Sequence, residues 1–244
     1  ELIAGINHMA WLLELHDKNG MDLYPEIRRR AEEKNTCGEK HNDMVRYEYI
    51  RHLGYYCTES SEHNAEYNPW FIKSRYPEMI DEFNIPLDEY PRRCIKQIEG
   101  WEKERADILR DGKITHERSK EYASYIMEAV VTDQPYKIGG NVRNDGYIEN
   151  LPGDACVEVP CYIDGTGVHP TKVGKLPAHL AAMNAANIGV QLMTIEAAVT
   201  KDRKKIYQAA MLDPHTAAEL SISDIIKMCD ELIGAHGEYM KDYR

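Results

Sequence analysis

The chain has 244 residues, of which 43% are hydrophobic and 29% are charged, so it can bury a substantial core. Its net charge of −11 would repel nucleic acid, and no run approaches the roughly 18 consecutive apolar residues that a membrane span requires. Its six cysteines include no CxxC pair, which disfavours a zinc ribbon and is typical of reduced thiols. A cytoplasmic protein with neither nucleic-acid nor membrane partners is predicted.

The first part of the chain is predicted to be mainly helical. An apolar segment from Gly5 to Leu15 is followed by a turn, and Pro25 then begins a short charged helix that ends near Lys34. A second helix is predicted from about Asp43 to Leu53, with Gly54 as its stop. Residues 58–71, TESSEHNAEYNPWF, mix polar and aromatic side chains with weak periodicity, which is typical of a loop that lines a site.

In the middle and at the end of the chain, the sequence pattern predicts two amphipathic helices, then several strands, then further helices. The amphipathic helices run from about Leu87 to Arg110 and from Ser119 to Val131. The predicted strands are Tyr136–Gly139, Tyr147–Asn150, Cys156–Ile163 and Val168–Val173. The closing helices are Leu180–Val199, which is nearly apolar and predicted to be buried, Lys204–Leu212, and Ser223–His236 with Ser223 as its cap.

This order of elements predicts an α+β fold in which helices pack on a small antiparallel sheet. Strands and helices do not alternate as βαβ units, and the sequence contains neither GxGxxG nor GxxxxGK[ST]. The 244 residues therefore have no dinucleotide-binding or phosphate-loop signature of their own.

Asn7 and His8 form a polar pair at the end of an apolar stretch, GINHMAW. Polar side chains among apolar neighbours must find partners. Two interpretations follow from the residues alone. His8 is a hydrogen-bonded core histidine, or it is a metal ligand held by apolar neighbours, with Asn7 orienting the ring or a substrate.

A second cluster is Glu62, His63 and Asn64, within the segment predicted to be a loop. Its imidazole, carboxylate and amide groups suit a metal or the hydroxyls of a sugar. A solvated loop without a ligand is the alternative interpretation.

A third cluster, Arg46 with Tyr47 and Tyr49, lies on the second predicted helix. A tyrosine acts as a general base only where positive charge lowers its pKa of about 10, and Arg46 or a bound cation would supply that charge. The spacing fits a core aromatic at position 47 equally well.

Four segments together resemble family 4 of the glycoside hydrolases, in the family's order and across essentially the whole chain. They are GINHMAW, VRYEYIRHLGYYCTESSEHNAEY, GGNVRNDGYIENLPGDACVEVPC and LMTIEAAVTKDRKKIYQAAMLDPHTAAELS. The TESSEH motif is similar to that of the α-galacturonidase and α-galactosidase branch, not to the phospho-glycosidases. The HMAWLLEL and LMTIEAAVT segments favour an α-galacturonide as substrate, and an α-galactoside is the alternative.

The resemblance implies a glycosidase that depends on NAD and Mn²⁺ instead of the usual pair of carboxylates. In this family NAD⁺ oxidises the sugar at C3, and the new ketone acidifies the proton at C2. A divalent metal, usually Mn²⁺, binds the C2 and C3 oxygens. A base removes the C2 proton, the aglycone leaves by elimination, water adds, and the hydride returns to the sugar.

The resemblance also assigns roles to residues of this chain. The family's metal-binding histidine matches His8, and Asn7 would lie beside the metal and the sugar. The family's tyrosine base falls on the predicted helix from Asp43 to Leu53, where Tyr47 is our choice and Tyr49 the alternative. The remaining residues expected to bind substrate lie on that helix and in the TESSEHN segment: Arg46, Glu62, His63 and Asn64.

In the family, a Rossmann domain for NAD and a CHxV motif with a second metal ligand lie upstream of GINH, and neither occurs in these 244 residues. Residues 1–244 are therefore expected to be the C-terminal substrate-binding, metal-binding and oligomerisation domain, similar to that of lactate and malate dehydrogenases. The family implies a dimer or tetramer. The segment alone is expected to be catalytically incomplete, and a non-catalytic assembly module is the alternative.

Overall fold

The structure, a computed structural model, describes residues 1–112 and 117–244, and in them six strands form one sheet. The strands are β1 (Leu2–Ile6), β2 (Met9–Glu14), β3 (Tyr56–Cys57), β4 (Tyr136–Arg143), β5 (Cys156–Asp164) and β6 (Gly167–Pro170). Their order is β3-β2-β1-β5-β4, with β6 beside β5, and the pairs β1–β2, β1–β5 and β2–β3 are antiparallel. The predicted α+β fold, with helices on a small antiparallel sheet, is confirmed.

The same described residues form ten α-helices and a final 3₁₀ turn at Gly237–Met240. None of these helices is both long enough and apolar enough to cross a bilayer. The helices are α1 (Tyr24–Thr36), α2 (Met44–Leu53), α3 (Ser61–Glu66), α4 (Glu78–Glu82), α5 (Glu89–Asp111), α6 (Tyr122–Thr132), α7 (Ala178–Thr200), α8 (Arg203–Leu212), α9 (Pro214–Glu219) and α10 (Ile222–His236).

The chain folds as two units. The first consists of Glu1–Ile85, Lys137–Tyr162 and Val168–Arg244, and it contains the main hydrophobic core. The second consists of Pro86–Tyr136 and Ile163–Gly167. Every candidate site residue predicted from the sequence lies in the first unit.

The apolar segment near the N-terminus is a β-hairpin. Ile6 and Met9 are its last pair, so Asn7 and His8 form the two-residue turn between β1 and β2. His8 has a φ of 65°, in the left-handed region that residues other than glycine seldom adopt. At Gly5 a Cβ atom would lie 2.6 Å from the Met9 carbonyl oxygen, so only glycine lets the strands close so near the turn.

In addition to the sheet pairing, a buried amide of α7 binds this hairpin. Asn184 is fully buried, and its Nδ2 donates to the Met9 carbonyl oxygen at 2.8 Å. Its Oδ1 accepts from Nε1 of Trp11 at 3.3 Å. Because buried polar atoms are destabilising when unpaired, these two bonds tie β2 to α7.

Three local predictions were wrong for identifiable reasons. The segment 147–150 is no strand, because the side chain of Asn144 binds the backbone of Ile148 through both its Oδ1 and its Nδ2 and folds the segment into a turn. The segment 58–71 contains α3, which begins because Ser60 Oγ accepts from the His63 amide. The last helix is capped by Ser221 instead of Ser223.

The prediction that the helix from Leu180 to Val199 is buried holds for the first half of α7, whereas its last turns are largely exposed. Leu180 and Ile188 are buried with Asn184, whereas Ile195 is 57% and Val199 is 77% exposed. This division could not be predicted from the residue pattern, because apolar residues continue along the whole length of the helix.

We expect Asn184→Ala to lower the free energy of unfolding by about 1–3 kcal/mol, because the Met9 carbonyl and the Trp11 indole lose their partner. Urea unfolding measures the change. Asn187→Ala is the matched control, since Asn187 is also buried on α7 but bonds only the Met183 carbonyl of its own helix. Equal losses in the two variants would contradict a role of Asn184 in holding the hairpin.

Candidate functional site

The segment after β3 lies along the hairpin. The Thr58 amide donates to the Ala10 carbonyl at 2.8 Å, and the Ala10 amide donates to Thr58 Oγ1 at 3.1 Å. The next residue, Glu59, has a φ of 68°, which turns the chain away from the strand and into α3. The side chains at this bend are thereby directed to the Asn7–His8 turn.

Four side chains of this segment form a cluster with the turn histidine. His8 Nδ1 lies 3.2 Å from Tyr67 Oη, and His8 Nε2 lies 3.7 Å from Glu59 Oε2. The ring of His63 stacks on that of His8 with centroids 5.1 Å apart, and its Nδ1 is 3.2 Å from Glu66 Oε2. We call these five residues the His8 cluster.

The cluster is open to solvent on one side. The His8 side chain is 38% exposed and that of His63 is 32% exposed. A core histidine, one of the two interpretations of His8, is therefore wrong, and a ligand could reach both rings. The sequence-predicted residue Glu62 is half-buried on α3.

Neither tyrosine proposed as the base touches this cluster. Tyr49 is buried, its hydroxyl donates to the Asn64 carbonyl at 2.8 Å, and burial raises its pKa well above the usual value. Tyr47 packs against His41 and Tyr56, with ring centroids 5.1 and 6.4 Å away. Among the described tyrosines, Tyr67 is the one whose hydroxyl contacts His8.

Two other predicted substrate-binding residues have structural partners. Asn64 is fully buried, and its Nδ2 donates to the carbonyls of Thr58 and Ser60, so it supports the bend from inside. Arg46 forms an ion pair with Asp43 and lies 4.7 Å from the centroid of the Tyr56 ring. The burial of Asn64 contradicts its direct binding of a substrate. The guanidinium of Arg46 is already engaged by Asp43 and Tyr56.

The position of Tyr67 beside His63 could have been predicted from the sequence, but a loop was predicted at 58–71 instead. Ser60 followed three residues later by His63 is compatible with a capped helix start. A helix there places residues 63 and 67 one turn apart on the same face. Their rings are in fact nearly parallel, with centroids 6.3 Å apart.

Carboxylates dominate the electrostatics near the turn. Burial and the nearby charge of Glu59 raise the pKa of Glu158, while a hydrogen bond from Asn7 opposes them. Burial, followed by the charges of Glu66 and Glu59, raises the pKa of Tyr67. The phenol is therefore neutral at pH 7 unless a cation or a hydrogen-bond donor stabilises its ionised form.

The described residues do not build a complete metal centre. In residues 1–112 and 117–244, no three His, Cys, Asp or Glu side chains are grouped so that they could hold a metal ion. His8 can offer one imidazole nitrogen from the turn, which is fewer than the three protein ligands of a usual catalytic site.

Residues 3–216 match the model of the C-terminal domain of family 4 glycosyl hydrolases, and the chain belongs to this family. The chain is 62% identical over all 244 residues to an α-galactosidase of Bacillus subtilis, of which it covers 56%. It is 30% identical over 99% of its length to an α-galactosidase of Rhizobium meliloti, of which it covers 51%. The chain thus spans about half the length of these curated relatives.

Solved structures share the fold. A Bacillus subtilis protein described as a glucosidase superposes with a TM-score of 0.84 at 22% identity, over 95% of this chain and 54% of that one. A 6-phospho-α-glucosidase from gut microorganisms, solved with NAD and Mn²⁺, has a TM-score of 0.68 at 18% identity, over 95% of this chain and 55% of that one.

We expect Glu59→Gln to lower the pKa of Glu158, because it removes a like charge that raises that pKa. A pH titration of the ¹³C-labelled glutamate carboxyls by NMR measures the change. Glu62→Gln is the control. It removes a negative charge that is close to Glu59 in the sequence, and it should leave the pKa of Glu158 unchanged. An unchanged pKa in Glu59→Gln would contradict the placement of Glu59 beside Glu158.

Proposed function

We propose that this chain forms the substrate-facing part of a glycosidase that cleaves α-galactosides with NAD and a divalent metal. The observation that supports the proposal most strongly is the His8 cluster, in which a turn histidine meets a tyrosine hydroxyl at a solvent-open face. Membership of the family and 62% identity to an α-galactosidase point to the same class of reaction.

The charges around the cluster favour a neutral sugar. A galacturonide differs from a galactoside by carrying a carboxylate in place of a hydroxymethyl group. Glu59 and Glu66 contact the two histidines, and Glu158 lies close enough to Glu59 for its pKa to be raised. A carboxylate-bearing sugar would meet like charge here, so we favour the α-galactoside over the α-galacturonide that the HMAWLLEL and LMTIEAAVT segments suggested.

Tyr67 is our candidate for the base that removes the C2 proton. When His8 is protonated on Nδ1, it donates to Tyr67 Oη across the 3.2 Å contact and stabilises the phenolate. The same tautomer leaves a lone pair on Nε2, as expected of a metal ligand whose other nitrogen is hydrogen-bonded. His8 thus has two roles in the proposal, as a metal ligand and as the group that orients the base.

When bound, NAD⁺ and Mn²⁺ would supply oxidation at C3 and charge stabilisation at the sugar oxygens. His8 would provide one metal ligand and Asn7 a polar contact to the sugar. His63 and the half-buried Glu62 are proposed to contact sugar hydroxyls at the rim. The solved relative that contains NAD and Mn²⁺ supports the choice of cofactors.

We also propose that the protein is a cytoplasmic homo-oligomer in which residues 1–244 form the substrate-binding and assembly domain. α5 exposes Ile98 and Trp101 at 72% and 53%, and large apolar side chains at such positions are typical of contact surfaces. A dimer or tetramer, as the family resemblance implies, is the expected state.

We expect Tyr67→Phe to lower kcat by about a hundred- to ten-thousandfold, the usual contribution of a general base, with little change in KM. The assay is release of nitrophenol from p-nitrophenyl α-galactoside by the full-length protein with NAD⁺ and Mn²⁺. Tyr47→Phe is the matched control and should retain wild-type kcat. A larger loss in Tyr47→Phe than in Tyr67→Phe would restore Tyr47 as the base.

We expect the full-length protein to prefer p-nitrophenyl α-galactoside over the corresponding α-galacturonide by about a hundredfold or more in kcat/KM, since like charges in close contact cost several kcal/mol. Added salt should narrow the ratio, because it screens the repulsion. A preference for the galacturonide would disprove the substrate assignment. Failure to cleave either substrate would leave an assembly module as the better description.

A further inference from the structure

α5 is a long amphipathic helix that the described part of the chain leaves almost wholly uncovered. It spans 23 residues, Glu89–Asp111, and is therefore about 35 Å long. Of the side chains described in it, none is buried, and only those of Glu89, Cys94 and Asp107 are partly covered. Helices in proteins are stabilised mainly by packing of their apolar face, so we expect this face to be covered in the assembled protein.

The apolar face of α5 has the spacing of a coiled-coil seam. Alternating steps of four and three residues separate the seam positions, which are Cys94, Ile98, Trp101, Arg105 and Ile108. Ile98 is 72% exposed, Trp101 is 53% exposed and Ile108 is 40% exposed. A seam with this repeat packs lengthwise against a second helix. The occupant that fits α5 is therefore another helix of similar length.

The charges of α5 favour a second copy of the same helix that runs in the opposite direction. Residues 89–96 contain three basic residues and one acidic residue, which gives a net charge of +2. Residues 97–110 contain four acidic and three basic residues, which gives −1. An antiparallel pair places each half beside the half of opposite sign, whereas a parallel pair would place Arg105 against its own equivalent in the seam.

We propose that α5 is an interface at which two copies of this chain pair antiparallel about a twofold axis near Gly100. The inference rests on the proposed function, because it gives a surface and a symmetry to the homo-oligomer proposed there. In this register Ile98 of each copy packs on Trp101 of the other, and Cys94 faces Arg105. Tryptophan is enriched among the residues that dominate interface energies, which suits Trp101 at the centre of the seam.

Disulfide trapping in the full-length protein tests both the contact and its direction. Arg105→Cys places a thiol opposite the native Cys94 of the second copy. Within one helix these two positions are 11 residues, or about 16 Å, apart, which is too far for an intramolecular disulfide. Lys103→Cys is the matched control, because residue 103 lies on the opposite side of the helix. After mild oxidation, mass spectrometry identifies the linked peptides.

We expect Arg105→Cys to form a covalent dimer through residues 94 and 105, in at least about tenfold greater yield than Lys103→Cys, because only residue 105 lies in the seam. A disulfide between the two copies of Cys94 in the oxidised wild-type protein would show a parallel pair and overturn the proposal. Equal yields from Arg105→Cys and Lys103→Cys would also overturn it.

The mass of the full-length protein in solution provides a second measurement. We expect Ile98→Asp to weaken association through α5 by about a hundredfold or more, because each copy would bury an unpaired carboxylate in the seam. Lys103→Asp, on the opposite side of the helix, should leave the mass unchanged. If Ile98→Asp also leaves it unchanged, a further domain of the protein or a lipid surface covers α5, and the proposal is wrong.

Neither measurement requires catalysis, so the interface and the proposed function can fail separately. A protein that is crosslinked through residues 94 and 105 but cleaves no galactoside would retain the interface and lose the glycosidase assignment. A protein that cleaves the galactoside but has the same mass after Ile98→Asp would retain the assignment and lose the interface.

Discussion

The buried amide of Asn184 is the contact on which the geometry of the site depends. The Asn7–His8 turn projects from a hairpin whose second strand begins at Met9, and Asn184 binds both the Met9 carbonyl and the Trp11 indole. A side chain of α7 thus binds Met9 and Trp11, which lie 175 and 173 positions earlier in the chain. The strands can close at Gly5 because it has no side chain. The 3.2 Å contact between His8 and Tyr67 therefore depends on where the hairpin is held.

A second constraint brings the partners of His8 to the turn. Thr58 extends the edge of the sheet, Glu59 bends the chain, and Ser60 begins a short helix, so that three consecutive residues each have a distinct backbone task. The result is a patch in which imidazoles and carboxylates alternate beside one phenol. Such a patch has groups that can bind hydroxyls and move a proton, and we propose that its negative charge selects against anionic sugars. The left-handed backbone at both His8 and Glu59 is consistent with a functional constraint on these positions.

Features set by local sequence were predictable, whereas features set by distant contacts were not. The end of α2 at Gly54 follows from the left-handed backbone that glycine favours, and it was predicted. Asn184 and Tyr67 were not predicted as functional, because their importance arises from partners 175 and 59 residues away. The strand proposed at 147–150 had suitable residues, but the Asn144 side chain competes for its backbone. His8 was identified through a family resemblance, and its partly exposed side chain contradicts the alternative of a core histidine.

An experimental structure of the full-length protein with NAD⁺, Mn²⁺ and galactose tests the proposed site most directly. We predict that the sugar lies at the Asn7–His8 turn, with Tyr67 Oη within about 3.5 Å of C2, the separation of reacting atoms in a productive complex. His8 would be a metal ligand. A sugar bound beside Tyr47, or a Tyr67 side chain directed away from the sugar, would contradict the roles proposed for His8 and Tyr67.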